Sequence, residues 1–195
     1  MIIDKEAYVI SLDKDVSNIQ KSWLDQGFTL NPIEATTPDT IPEHGPLVFD
    51  KKKRDAGRAW DNPVVKFTPT EKAIWYSHYN MWYMCIRKDK PIIVIEDDVV
   101  LNSVFPTSWN IERLKYFVRS HNPDRMTQRY DFVWGSGYVL TPQGAGRLIQ
   151  FAETWPIDIN VDGFLRRARD EHPESWCTEY ATTIDKEVKA KHNYG

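Results

Sequence analysis

The sequence has few cysteines, no long apolar run and little net charge, and each shortage excludes a class of protein. Its 195 residues include only Cys85 and Cys177, whose spacing matches neither a metal-ligand motif nor a disulfide framework. No apolar run approaches the roughly 20 residues that a membrane-spanning helix needs. Charged residues at positions 4–6 interrupt the N-terminus, so it lacks the basic-then-apolar pattern of a signal peptide. We therefore expect a cytoplasmic protein with free thiols.

The formal net charge is −3, so the molecule as a whole does not attract nucleic acid and any such binding needs a local basic patch. The candidate patch is the run Lys51-Lys52-Lys53-Arg54, with Arg58 and Trp60 nearby. A solvated loop is the plainer explanation of this run. The length corresponds to one domain that buries a core without disulfides, so we predict a single domain over residues 1–195.

Apolar runs alternate with helix-start signals along the chain, which predicts an α/β fold. Strands are predicted at Tyr8–Leu12, Phe28–Ala35, Pro91–Ile95, Phe132–Trp134, Tyr138–Leu140 and Tyr180–Ile184. Helices are predicted after Asp15, Thr68, Thr141 and Asp158, and at Trp109–Val118. Prolines and glycines remove the pattern over about residues 36–65, which predicts a long loop or lid there.

Three adjacent carboxylates, Glu96-Asp97-Asp98, follow directly on the apolar run that ends at Ile95. Ligands of open α/β sheets bind at the carboxyl ends of the strands. Carboxylate oxygens in that position suit Mg²⁺ or Mn²⁺ carrying a diphosphate. A solvated acidic turn explains the same residues without a ligand, and the chemistry alone does not separate the two interpretations.

Several segments occur in an order that resembles glycosyltransferase family 25, which includes lipooligosaccharide galactosyltransferases of Gram-negative bacteria and collagen galactosyltransferases. The segments are Val9–Leu12, Thr68–His78, Ile93–Asp98, Gly137–Ala145 and Pro156–Asp162. The resemblance implies a GT-A-like nucleotide-binding α/β fold with a mainly parallel central sheet flanked by helices. It also implies a nucleotide-sugar donor (usually UDP-linked), a divalent metal ion and inversion at the anomeric carbon.

The resemblance also implies roles for individual residues. It places Mn²⁺ or Mg²⁺ on Asp98 first and on Glu96 next. It implies that the donor is bound by Ser11, Leu12, Glu96, Asp97 and Gly137. The arginine that commonly follows the first strand in the family is replaced here by Asp13-Lys14-Asp15, which leaves the nucleotide and the sugar open.

The catalytic base is sought among the later carboxylates, because an inverting transferase must deprotonate the acceptor hydroxyl. Asp162 matches the family's second acidic position and Asp158 lies nearby, although carboxylates are also favoured at a helix start without any chemistry. His78 lies on the apolar face of its helix, which favours a structural role that supports the metal site. Glu71 is explained by a capping box with Thr68.

These observations predict a metal-dependent inverting glycosyltransferase that acts on a saccharide hydroxyl, as in lipooligosaccharide synthesis. One alternative is a phage-type enzyme that glycosylates a hydroxymethylated DNA base, with phosphate contacts from the 51–54 run. A second alternative is a non-catalytic binding module on a degenerate transferase fold. The intact acidic cluster favours an enzyme over that module.

Overall fold

The computed structural model describes residues 3–54, 66–101, 104–105, 114–116, 118–120, 137–171, 176–177 and 182–184. The helices are α1 (Ser17–Leu24), α2 (Pro69–Lys88), α3 (Pro142–Thr154) and α4 (Val161–Glu171), with a 3₁₀ helix at Pro38–Thr40. The strands are β1 (Glu6–Ser11), β2 (Thr29–Glu34), β3 (Phe49–Arg54), β4 (Ile92–Glu96), β5 (Leu114–Tyr116), β6 (Val118–Ser120), β7 (Gly137–Leu140), β8 (Ile157–Ile159), β9 (Trp176–Cys177) and β10 (Thr182–Ile184). In these ranges no helix is long and apolar enough to cross a membrane.

The central sheet has the strand order β2-β1-β4-β7-β5-β9 across the described residues. β1 runs parallel to β2 and β4, and β5 runs parallel to β9, whereas β7 is antiparallel to both of its neighbours. The predicted α/β fold with a mainly parallel sheet flanked by helices is confirmed, and it is consistent with a GT-A-like fold. The prediction that the run before Glu96 forms an interior strand is confirmed as well.

The four apolar residues of β4 are divided between two cores because side chains of a strand alternate between the faces of a sheet. Ile93 and Ile95 pack on one face in a cluster with Ile19 and Trp23 of α1. Ile92 and Val94 pack on the other face in a larger cluster supplied by α2, α3, β8 and α4. A strand covered on both faces carries a continuous apolar run instead of an alternating one.

α2 begins with the capping box that the sequence predicts. The Thr68 hydroxyl accepts a hydrogen bond from the Glu71 backbone N–H at 3.2 Å, and the Glu71 carboxylate accepts one from the Thr68 backbone N–H at 2.9 Å. Pro69 occupies the first turn of the helix, where its missing N–H has no intrahelical partner to lose. The interpretation of Glu71 as a capping residue is confirmed.

α2 runs antiparallel to β4, so its N-terminal half lies at the carboxyl edge of the sheet. His78 contacts Glu96 at the end of β4. Two turns later, Cys85 Sγ donates to the carbonyl oxygen of Leu140, which pairs with Ile92 at the start of β4. Cys85 is a buried free thiol, as predicted for that residue.

Two local predictions differ from the structure. The predicted helix at Trp109–Val118 is wrong for the part of it that the structure describes, because Leu114–Tyr116 is a strand that pairs with β7. The predicted loop over 36–65 contains β3, which pairs in parallel with β8, while residues 55–65 lie outside the described part. The predicted strand Phe132–Trp134 also lies outside it.

Gly163 allows α4 to approach β8 closely, which leads to a stability prediction. A Cβ atom on Gly163 would overlap the Ile159 side chain and lie 2.9 Å from Asn160 Oδ1. We expect Gly163→Ala to lower the free energy of unfolding by about 1–3 kcal/mol, measured by urea denaturation. Gly146→Ala in α3 is the control, because nothing lies within 4 Å of its Cβ position; it should raise stability by about 0.5–1 kcal/mol. Equal effects of the two substitutions would contradict this account.

Candidate active site

Three strand ends meet at one edge of the sheet and bring together the residues predicted to bind the donor. Ile10 of β1 pairs with Glu96 of β4, and Ile95 pairs with Gly137 at the start of β7. Ser11, Glu96 and Gly137 therefore occupy neighbouring positions on one edge. This is the carboxyl edge of the parallel strands, where open α/β sheets bind their ligands.

The acidic turn at this edge contains one carboxylate in an unusual environment. Asp97 and Asp98 form a turn after Glu96, and all three side chains are half-buried. The Oδ1 atom of Asp98 is buried and has no hydrogen-bond partner in the described structure. Burial raises the pKa of the Asp98 carboxyl to about 6, and the negative charges of Glu96 and Asp97 contribute to that increase.

A divalent cation fits this environment because it would occupy the unpartnered oxygen and offset the repulsion among the carboxylates. Within the described residues, no group of three or more His, Cys, Asp or Glu side chains is arranged to hold a metal ion. Such a cage is not required for Mg²⁺, which proteins bind through one or two carboxylates together with water and substrate phosphates. Asp98 and Glu96 satisfy that smaller requirement.

Glu96 is positioned by a buried chain of hydrogen bonds. His78 Nε2 lies 3.3 Å from Glu96 Oε1, and His78 Nδ1 lies 3.0 Å from the Tyr138 hydroxyl. Trp82 Nε1 donates to the same hydroxyl at 3.1 Å. If Nδ1 of His78 accepts from Tyr138 and Nε2 donates to Glu96, each of the four side chains has a hydrogen-bond partner in this chain. Because His78 and Tyr138 are buried, the chain fixes the direction of the Glu96 carboxylate.

α1 holds the rest of the acidic turn through contacts that the sequence does not reveal. Asn18 Nδ2 donates to the Asp97 carbonyl oxygen at 2.8 Å, and Trp23 Nε1 donates to the Val99 carbonyl oxygen at 2.8 Å. Both donors are more than 70 residues distant in sequence. The only sequence signal for Asn18 and Trp23 is their position on α1, the helix that packs beside β4.

The loop after β1 has its own polar network. The Ser11 hydroxyl donates to Asp13 Oδ1 at 3.2 Å, and the Asp15 backbone N–H donates to the same oxygen at 2.9 Å. The backbone hydrogen bond lowers the pKa of the Asp13 carboxyl. Lys14 forms an exposed ion pair with Glu34 of β2 at 3.0 Å. The tripeptide that replaces the expected arginine thus has defined contacts beside the predicted donor residue Ser11.

The second acidic pair, Asp158 and Asp162, lies on β8 and at the start of α4. Trp75 Nε1 donates to the Ile159 carbonyl oxygen at 3.0 Å. Because Trp75 and His78 are three residues apart on α2 and therefore lie on the same face, the end of β8 and the acidic turn contact successive turns of one helix. Asp158 forms an ion pair with Arg167 at 3.0 Å, whereas Asp162 lies in the first turn of α4 and is half-buried.

The basic run Lys51-Lys52-Lys53-Arg54 lies in β3, beside β8. It therefore belongs to a strand and not to an irregular loop. Its role in contacting DNA stays a prediction.

Comparison with known proteins relates the chain to one family. A family model described as "Glycosyltransferase family 25 (LPS biosynthesis protein)" matches residues 4–122. A "Glycosyltransferase 25 family member" of Drosophila melanogaster is 32% identical over 135 residues, which cover 57% of this chain and 22% of the relative. A protein with the same description from Anopheles gambiae is 27% identical over 174 residues, covering 71% of this chain and 29% of the relative. The matched regions thus span less than a third of each insect protein.

Proposed function

Since the chain belongs to glycosyltransferase family 25, we propose that it transfers a sugar from a nucleotide-sugar donor to a saccharide hydroxyl, with Mn²⁺ or Mg²⁺ held by Asp98 and Glu96. The observation that carries the metal site is the buried Asp98 Oδ1 atom, which has no partner in the described structure. The description of the family as "LPS biosynthesis protein" supports a saccharide acceptor, as in lipooligosaccharide synthesis.

The divalent ion, when bound, supplies positive charge that neutralises the diphosphate leaving group. The protein's own contribution is to hold that ion in one place. Asp98 supplies an oxygen that already has no competing hydrogen bond. Glu96 supplies a second carboxylate whose direction is set by His78. Supporting residues of this kind commonly affect metal sites strongly, because they orient the ligands.

The donor would lie along the sheet edge formed by the ends of β1 and β4 and the start of β7. Ser11 is the last residue of β1 and Leu12 follows it, and Gly137 begins β7 directly beside Ile95. The backbone at Gly137 carries no side chain, so a sugar or phosphate can approach it closely. Asp97 completes the set, and its backbone is held by Asn18.

Asp162, which matches the family's second acidic position, is the candidate for the base that accepts the proton of the acceptor hydroxyl. Asp158 lies nearby on β8, where it forms an ion pair with Arg167 at 3.0 Å. Asp162 follows β8, whose Ile159 carbonyl oxygen accepts a hydrogen bond from Trp75, three residues before His78 on α2. Inversion at the anomeric carbon requires such a base on the side opposite the leaving diphosphate.

The proposal is tested by thermal denaturation of the full chain with UDP-, GDP- and CMP-sugars, each with Mn²⁺ and with EDTA. A donor at about 100 times its dissociation constant stabilises the native state by about 2.7 kcal/mol, which corresponds to a rise in Tm of about 5–10 °C for a chain of this length. We expect one nucleotide class to produce this rise with Mn²⁺ and a much smaller one with EDTA. A saccharide product should then form with that donor. If none of the nucleotide sugars shifts Tm in either condition, the proposal is wrong.

A further inference from the structure

A cavity lies apart from the acidic turn, between the end of α3, β8 and α4. Its volume is about 350 Å³, which falls in the lower part of the range of about 300–1,000 Å³ for small-molecule sites. Its walls combine an exposed indole, apolar side chains and charged groups. They include Asp50, Trp155, Ile157, Asp158, Phe164 and Arg167.

Trp155 is the most distinctive residue of this cavity. It follows α3 as the C-cap residue, and 68% of its surface is exposed. By contrast, Trp23 of α1 and Trp75 and Trp82 of α2 are fully buried. A large exposed aromatic ring beside a polar cavity is a feature of ligand sites, where one face of the ring remains available for stacking.

The charged groups of the cavity are arranged as a fixed hydrogen-bonding set. Arg167 Nη1 donates to Asp158 Oδ1 at 3.0 Å, and the Asp158 side chain is only 18% exposed. A guanidinium has several N–H donors in one plane and a carboxylate has several acceptor positions, so the pair places both kinds of group in the cavity wall. Asp50 adds a second carboxylate to the wall.

The indole of Trp155 and the Asp158–Arg167 pair suit a neutral sugar ring better than an anionic ligand. The C–H groups on one face of a pyranose are weakly positive and pack on the electron-rich face of an indole. Its hydroxyls both donate and accept hydrogen bonds, which matches a carboxylate–guanidinium pair. A diphosphate or a nucleic-acid backbone would instead be repelled by Asp50 and Asp158. The cavity therefore differs in chemistry from the site for an anionic donor.

The position of the cavity connects it to the proposed reaction. The hydroxyls of Tyr79 and Tyr83 on α2 donate to the carboxylate of Glu153, two residues before Trp155, and Tyr79 directly follows His78. Phe164 of the cavity wall packs on Trp75 with ring centroids 4.7 Å apart. The end of α3 and the start of α4 thus both contact α2, the helix whose His78 contacts Glu96.

We propose that this cavity binds a neutral hexopyranose of the acceptor saccharide, with Trp155 as the stacking surface and the Asp158–Arg167 pair as the hydroxyl-binding group. This assignment rests on the proposed glycosyltransferase function. It gives Asp158 a role in positioning the acceptor, while Asp162 remains the candidate base. The bound sugar is an acceptor unit held beside the reaction site, and the cavity contributes no chemical step.

The test measures binding of lactose, methyl β-D-galactopyranoside and methyl β-D-glucopyranoside to the full chain by saturation-transfer NMR, without metal or nucleotide. We expect the wild-type protein to bind at least one of them. Trp155→Ala should weaken that binding about three- to tenfold, as for the loss of an aromatic contact, while Trp155→Phe should retain most of it. Ile86→Ala, which truncates an exposed apolar side chain on α2, is the matched control and should have no effect.

Kinetic measurement with the same variants separates this inference from the proposed function. Trp155→Ala should raise KM for the saccharide acceptor and leave the Mn²⁺-dependent thermal shift with the nucleotide sugar unchanged. If that shift is present but no neutral sugar binds, or if Trp155→Ala binds as well as the wild-type protein, the sugar site is refuted and the transferase function stands. If a neutral sugar binds through Trp155 but no nucleotide sugar does, the proposed function fails and the sugar site remains.

Discussion

Asp98→Asn is expected to reduce sugar transfer by about 10³-fold or more, because on the proposed metal site the amide keeps the shape of the carboxylate but loses the charge that would hold the cation and orient the diphosphate. Initial rates with the donor identified by thermal shift, measured over a series of Mn²⁺ concentrations, provide the test. The secondary structure should be unchanged in far-UV circular dichroism. Near-normal transfer by the variant at low Mn²⁺ would show that Asp98 is not an essential ligand.

The same substitution should change how stability depends on pH when no metal is bound. The pKa of Asp98 is raised to about 6 in the folded protein from an unperturbed value of 3.8. Between these values the folded state keeps the proton that the unfolded chain has lost, so the free energy of unfolding falls as pH rises and stays low above about 6. The total loss is at most about 3 kcal/mol.

Urea denaturation at pH 4 and pH 7.5 in EDTA measures this dependence. Asp98→Asn should remove the contribution of this carboxyl to the pH dependence and be more stable than the wild-type protein at pH 7.5, although we expect it to have lost activity. Asp25→Asn is the control, because Asp25 is an exposed carboxylate paired with Lys21 at 2.7 Å. That variant should retain transfer activity and the pH dependence of the wild-type protein. A less stable Asp98→Asn at pH 7.5 would contradict the burial argument.

His78→Ala is expected to lower the free energy of unfolding by about 2–4 kcal/mol, which combines the cavity left by the ring with the loss of its hydrogen bonds. The side chain is almost fully buried and lies between Tyr138 and Glu96. Its removal takes a hydrogen-bond partner from each of these groups. Urea denaturation at pH 7.5 provides the measurement.

Two further variants separate the contributions of His78. Tyr138→Phe removes only the hydroxyl that contacts His78 and should cost about 1–2 kcal/mol. His44→Ala changes an exposed histidine and should stay within about 0.5 kcal/mol of the wild-type protein. Loss of His78 should also weaken Mn²⁺ binding about 10- to 100-fold, as for other residues that orient a metal ligand. An unchanged stability with lost turnover would instead make His78 a catalytic or binding residue.

The parts of the fold that the sequence predicts are those with local causes. The capping box at Thr68 and Glu71 needs only residues three apart, and the continuous apolar run before Glu96 directly indicates a strand covered on both faces. The start of α3 is similar, since the Thr141 hydroxyl accepts a hydrogen bond from the Gly144 backbone N–H at 3.1 Å. Local signals of this kind do not depend on where the rest of the chain lies.

The incorrect helix at Trp109–Val118 shows the opposite case. Leu114–Tyr116 is a strand because it pairs with β7 on one side and with β9 on the other. Both partners are distant in sequence, and a short segment takes its conformation from such pairing more than from its own propensity. The sequence of the segment alone therefore favours the wrong element.

The candidate site also contains some residues that local sequence predicts and others that only the fold brings together. Glu96, Asp97 and Asp98 are adjacent in the chain, so the sequence alone is enough to predict that they cluster. Asn18 supports that cluster from 79 residues away, and the register of β4 with β7 decides that Gly137 lies beside it. The Trp155 cavity depends on the packing of α3, β8 and α4, and no spacing in the sequence indicates it.

One face of α2 contacts both the donor side and the acceptor side of the proposed site, and this arrangement affects how acceptor preference can change. His78 contacts Glu96 at the start of the acidic turn and Trp75 contacts the end of β8, and the two residues are about 4.5 Å apart along the helix axis. If the proposed reaction is correct, the rigid helix α2 fixes the distance between the donor site and the acceptor site. Substitutions in the wall around Trp155 could then alter which sugar is accepted while leaving the donor half of the enzyme intact, so the two specificities can diverge independently.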